Sequence, residues 1–162
     1  MQFLQKIESK NAPAPVGAYS PAVKLGDFMY MSGQLGLDPK TNELVEGGVA
    51  AQTKQAMDNI RAILNEVGLD MHHIVKTTIL LADINDFSAV NDVYGDYFTD
   101  VFPARSAFQV AALPKGAAVE IECMVIDTLV YERQAQQAQG GCDGCGDGCG
   151  DSCGDDCGCG GC

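Results

Sequence analysis

Apolar positions in residues 49–67 recur at helical spacing: Ala56, Ile60, Ile63, Leu64 and Val67 share one face, and Gly68 follows the last of them. This pattern predicts an amphipathic helix over Val49–Val67 with a glycine stop. Ile74–Leu81 is apolar, rich in β-branched residues and too short for a helix, so it reads as a buried strand. Upstream, Ala22–Leu25 and Phe28–Ser32 flank Gly26-Asp27, a dipeptide that suits a tight hairpin. Asp86 is expected to cap a second helix in which Phe87, Val90, Tyr94, Tyr97 and Phe98 form one face before Pro103 stops it. Ser106–Val110 and Ala118–Val130 complete the pattern as two further strands, joined by a loop at Leu113–Gly116.

The order β-β-α-β-α-β-β predicts an α+β fold, with both helices covering one face of a mixed sheet. In the last strand Val119, Ile121, Cys123 and Val125 point one way, while Glu120 and Glu122 share the other side with Met124 and Ile126. A face carrying those two apolar residues is poorly suited to full solvation. Self-association that buries it is the simplest remedy, and it would bring carboxylates and partner residues together in clefts between subunits.

Composition changes the picture at the C-terminal end. Residues 140–162 consist of 10 Gly, 7 Cys, 5 Asp and 1 Ser, with no aliphatic or aromatic side chain to offset the entropy of ordering the backbone. The chain therefore divides into a folded unit over 1–131, a polar linker or fraying helical extension over 132–139, and a tail over 140–162 that is disordered unless crosslinked. Cys142, Cys145, Cys149, Cys153, Cys157, Cys159 and Cys162 are close enough, with glycine between them, to wrap a soft cation such as Zn²⁺ or Cu(I). A flexible tail of free or modified thiols is the competing reading. The net charge of −12 disfavours a nucleic acid partner. An 18-residue apolar span and the layout of a secretory signal are both missing, so a cytoplasmic location away from membranes is expected.

Few residues offer chemistry. Arg105, in the apolar setting Val101–Phe108, reads either as a structural ion pair or strand-end residue, or as a planar fork that clamps a carboxylate. Glu122 reads as solvated or paired. Glu120, nearer the apolar centre of its strand, is the better acid/base, because partial burial raises a carboxyl pKa. Tyr19, Ser32 and Asn91 carry little signal singly. His72 and His73 read as surface residues, and Cys123 as a small buried hydrophobe.

In order along the chain, Gly17–Val23, Met31–Gln34, Gln52-Thr53 through Asn59-Ile60, Val75–Thr78, Asp86-Phe87 with Asn91 and Tyr94, Phe102–Arg105, Ala112–Gly116 and Val119–Glu122 closely resemble the Rid (YjgF-type) imine deaminase family. The resemblance covers nearly all of residues 11–130. It implies a chorismate-mutase-like α+β fold and a homotrimer with three clefts between subunits. The implied reaction is hydrolysis of 2-aminoacrylate-type enamines, after tautomerisation to imines, giving 2-keto acids and ammonia without a cofactor. By the same resemblance, Arg105 holds the substrate carboxylate and Glu120 positions or activates the attacking water. Tyr19, Ser32 and Asn91 shape the pocket, and Ala107, where some members carry Cys, contributes backbone alone. The usual Gly-Pro-Tyr is here Gly17-Ala18-Tyr19. Two other functions compete with the enzyme: a metal-buffering or thiol-redox protein that displays its tails on a trimeric scaffold, and an RNA-cleaving or protein-holding activity, of which the acidic charge disfavours the RNA part.

Overall fold

The structure is a computed structural model that describes residues 3–139; the seven tail cysteines and the expectations attached to them lie outside the described residues. The described chain falls into two units, one ending at Leu129 and the other beginning at Val130. The first unit holds six strands: β1 (Gln5–Ile7), β2 (Ala22–Leu25), β3 (Phe28–Leu35), β4 (Ile74–Leu81), β5 (Ala104–Gln109) and β6 (Val119–Ile126). Helix α1 (Gly48–Asn65) links β3 to β4, and α2 (Phe87–Gly95) links β4 to β5. The strands form one sheet in the order β1-β2-β3-β6-β4-β5, parallel between β4 and β5 and antiparallel elsewhere. The mixed α+β sheet expected from the sequence is present.

Both helices lie on one face because their apolar stripes have a common partner there. Ala56, Met57, Ile60, Ile63 and Leu64 of α1 and Val90 and Tyr94 of α2 are buried in one cluster with Met29, Met31, Ile79, Ile121, Cys123 and Val125 of the sheet. Gly68, at φ 74°, turns the chain out of α1, and the Leu69 N–H returns to the Leu64 carbonyl at 3.1 Å. Buried amides then tie α1 to the end of β3. Asn59 Nδ2 donates to the Leu35 and Leu37 carbonyls at 3.2 and 3.0 Å, and Gln55 Nε2 donates to Asn59 Oδ1 at 2.9 Å. These bonds fix the stretch of chain that floors the cleft described below.

The other face is open. Leu25, Phe28, Tyr30 and Met124 stand on it, each between 39 and 52 % exposed, and their strands pair so that Leu25 meets Phe28 and Tyr30 meets Met124.

Several sequence expectations are corrected. The last strand ends at Ile126 rather than Val130: the Asp127 N–H bonds the Asp27 carbonyl, and the Asp127 carboxylate accepts from Lys24 at 2.5 Å and from the Leu129 N–H at 3.2 Å. Beyond it the chain forms a further helix, α3 (Leu129–Gln139). Asp86 makes no capping bond; Asp83 does the local work by accepting from the Asn85 N–H. Helix α2 stops at Gly95, leaving Tyr97 and Phe98 in the following turn. His73 is buried rather than superficial, because it and Asp70 form a reciprocal cap on the turn before β4; His72 is exposed as expected.

Candidate active site

Glu120 sits on β6 opposite Leu80 of β4 and Leu35 of β3, on the open side of the sheet. It lines a cleft with Tyr19, Ser32, Gly33 and Lys115, walled by the apolar Pro13, Val16, Pro21, Leu37 and Pro114. Burial, and secondarily the nearby Glu122 carboxylate, raise the Glu120 carboxyl above its ordinary pKa. This carboxyl is therefore a better proton acceptor than a solvated one. Glu122, two residues on, is exposed, as its sequence reading had it.

The Ser32 hydroxyl donates to the Ser20 carbonyl at 2.7 Å. Its proton is thereby committed to the backbone, and its lone pairs are left to accept from a ligand N–H or water. Lys115 occupies a left-handed conformation at φ 57°, and its ammonium donates to the Asn42 carbonyl at 2.5 Å, pinning the turn before β6 to the loop after β3. The place of Lys115 in the Leu113–Gly116 loop was visible in the sequence, but its contact with Asn42, 73 residues away, was not.

Arg105 is elsewhere. It pairs in register with Thr77 of β4, whose hydroxyl bonds the Tyr94 hydroxyl on α2 at 2.9 Å, so Arg105 lies on the helix side of the sheet. Its guanidinium donates to Asn91 Oδ1 at 2.8 Å and lies over the Tyr94 and Phe87 rings, 5.0 and 5.3 Å from their centroids. Among the described residues, stacking and this one hydrogen bond fix the plane of the fork and leave its other donors for an anion. Phe87 was not singled out for this role in the sequence. Ala107, two residues on, packs its methyl against the core, so only its backbone is available at the sheet edge.

The sequence-derived site residues thus fall into two groups. Tyr19, Ser32 and Glu120 meet in the open-face cleft, and Arg105 and Asn91 meet at the edge strand on the opposite face. Within one protomer the two groups do not converge. Cys123, between them in the core, is buried, and its thiol pKa is pushed up to about 12 by burial and then by Glu122, which leaves it inert.

A half-buried carboxyl with a raised pKa in an apolar cleft, on a two-helix α+β sheet with an edge-strand arginine, is an arrangement suited to a small-molecule enzyme. A family model described as Endoribonuclease L-PSP matches residues 9–127, and the chain belongs to this family, which is the Rid/YjgF family of the sequence resemblance. Curated relatives named 2-iminobutanoate/2-iminopropanoate deaminase include one from Capra hircus, 57% identical, and one from Homo sapiens, 52% identical. Each alignment runs over 120 residues and covers 74% of this chain and 88% of the relative. Among solved structures, RidA from an Antarctic Psychrobacter superposes with a TM-score of 0.73 at 48% identity, covering 75% of this chain and 98% of that one. The YjgF gene product from E. coli gives 0.72 at 44% identity, covering 75% and 98%.

Proposed function

We propose that this chain is a deaminase that hydrolyses small 2-imino acids, formed from reactive enamines, to 2-keto acids and ammonia. The relatives named for this activity support the reaction class. The observation that carries the chemistry is the raised Glu120 carboxyl beside Ser32 and Tyr19 in an apolar cleft.

A protonated imine is already electrophilic, so the protein has to hold it, deliver water and move protons. Arg105 takes the substrate carboxylate in its fork, with Asn91 keeping the guanidinium oriented. Ser32 accepts an imine N–H. Glu120 removes a proton from water as the water oxygen bonds the imine carbon, giving a carbinolamine. The same carboxyl then returns that proton to nitrogen, the C–N bond breaks to release ammonia, and the Glu120 carboxylate takes the hydroxyl proton as the carbonyl forms and passes it to the ammonia, leaving ammonium. One water is consumed, and one keto acid and one ammonium are released.

The reading requires Arg105 of one protomer to face Glu120 of another, since one protomer places them on opposite faces. A homotrimer closed through the open face meets that requirement and covers Leu25, Phe28, Tyr30 and Met124. Catalysis on this route uses no metal or organic cofactor, and the acidic surface favours neither RNA nor anionic lipid. Among the described residues, no helix is long and apolar enough to cross a membrane. A cytoplasmic location fits a substrate that arises from soluble amino acid metabolism.

The test is keto acid and ammonia release from 2-aminoacrylate generated enzymatically in the assay. Release in equal amounts, faster than the spontaneous reaction, is expected; a rate equal to the spontaneous one would refute the proposal.

A further inference from the structure

Strand β3 is irregular where it borders the cleft: its register against β6 shifts between Met31 and Gln34, so Ser32 and Gly33 form a bulge. Gly33 does not have a left-handed backbone, and so its lack of a side chain is not explained by conformation. Space explains it. A Cβ at Gly33 would lie 1.7 Å from Glu120 Oε1, 2.6 Å from its Cδ and 2.8 Å from its Cγ. Real Cβ atoms do not make contacts that short, and the part of Glu120 that would have to leave is its flexible end. The carboxyl group therefore occupies the room that a side chain at residue 33 would take.

We propose that Gly33 is a positioning residue of the deaminase site: its bare backbone is the seat on which the Glu120 carboxyl rests, next to Ser32 and Tyr19. This rests on the reading of Glu120 as the proton-transfer group. A methyl group at position 33 turns the carboxyl out of the cleft without altering the strand pairing on either side. The titratable and charged groups around the seat are Glu122 on the same strand, Tyr19 from the segment before β2 and Lys115 from the turn before β6. An ejected carboxyl regains water, and the acidic limb of the pH profile of any residual activity moves to lower pH.

The experiment is a double-mutant cycle of Gly33→Ala and Glu120→Ala in the full-length protein, with kcat, inhibition by the 2-keto acid product and thermal unfolding measured for each variant. Gly33→Ala is expected to lower kcat roughly 10²-fold or more, the scale of general acid/base assistance. Keto acid inhibition, which reports the arginine clamp, stays within about threefold because no clamp contact is removed. The double variant is expected to be no slower than Glu120→Ala alone, since the methyl group then has nothing to displace. Gly33→Ala activity within about threefold of wild type, or losses that multiply in the double variant, would overturn the proposal by the additivity expected of independent sites. If Gly33→Ala fails to fold, the double variant decides: recovery of the fold supports the seat, and a second failure overturns it. Glu120→Ala as active as wild type would instead sink the reading of Glu120 itself, and this proposal with it.

Discussion

Arg105 and Glu120 stand on opposite faces of one sheet, separated by β4: Arg105 pairs with Thr77, which points at α2, while Glu120 pairs with Leu80, which points away. Thr77 and Leu80 are three positions apart, an odd offset that puts them on opposite faces of the strand, so no rotamer of Arg105 or Glu120 brings the two groups together within a protomer. A site that uses both is therefore shared between copies of the chain.

The clamp leads to the first prediction. A bidentate guanidinium–carboxylate contact makes two charge-assisted bonds of about 1.5–3 kcal/mol each. Arg105→Ala is expected to lower kcat/KM by roughly 10² to 10⁴. Arg105→Lys recovers only part of this, because an ammonium cannot present two parallel donors. Unfolding temperatures of both variants should match wild type, since among the described residues the guanidinium bonds Asn91 alone and lies against two rings. Steady-state kinetics with calorimetry checks this.

Glu120 couples activity to stability with opposite signs. Its carboxyl pKa is raised by burial and then by Glu122, so the folded protein holds that proton to a higher pH than the unfolded chain does. Stability is lost as pH rises from the ordinary carboxylate value through the raised one, because the ionised form is disfavoured in the fold. Glu120→Gln should therefore unfold at a higher temperature than wild type at neutral pH while losing roughly 10² to 10⁴ in kcat. In wild type, the acidic limb of kcat/KM should lie above the usual carboxylate range.

The sequence made some of this visible. The α1 stripe and its glycine stop, the β4 run and the alternation in β6 all depend on neighbours within a few residues, and each was legible. So was the division of Glu120 from Glu122. The opposite-face placement of Arg105 was not, because it depends on the parallel register of β5 on β4, which pairs Arg105 with Thr77, 28 positions earlier in the chain, and is not set by local pattern. Three-residue β1 has no period to read; only β2 defines it. His73 looked superficial because its burial comes from the Asp70 cap, and the glycine of Ser32-Gly33-Gln34 suggested room for a ligand beside the backbone, whereas the group that fills that room is the Glu120 carboxyl from 87 positions away.

Lys24 and Asp127 make a second pH-dependent contribution. Burial pushes the Asp127 carboxyl up, but the Lys24 ammonium and the Leu129 N–H outweigh it and hold the pKa below the ordinary value. This stabilisation is fully present above the unfolded-state pKa and is lost as pH falls through the lowered one. Lys24→Met should cost about 2 kcal/mol at neutral pH, because it strands a largely buried carboxylate. It should also flatten the acid side of the stability profile. Denaturant titrations across pH measure both effects.

The cysteine-rich tail separates the enzyme from its competing reading. A chain ending at Gln139 should retain the deaminase rate of the full-length protein, whereas a metal-buffering protein would lose its function with residues 140–162. Native mass spectrometry with stoichiometric zinc under reducing conditions should show metal on the full chain and none on the shortened one. A full chain that acquires no zinc would sink metal binding by Cys142–Cys162.

The shared site is tested most directly by mixing two inactive proteins. Arg105→Ala and Glu120→Ala chains, denatured together in equal amounts and refolded, form clefts at random, and about one cleft in four then combines an intact arginine with an intact glutamate from a different chain. Recovery of about a quarter of wild-type deaminase activity is the predicted result. Activity that stays at the level of the two parents, in assemblies shown to contain both chains, would mean that each protomer works with its own pair and would contradict the account.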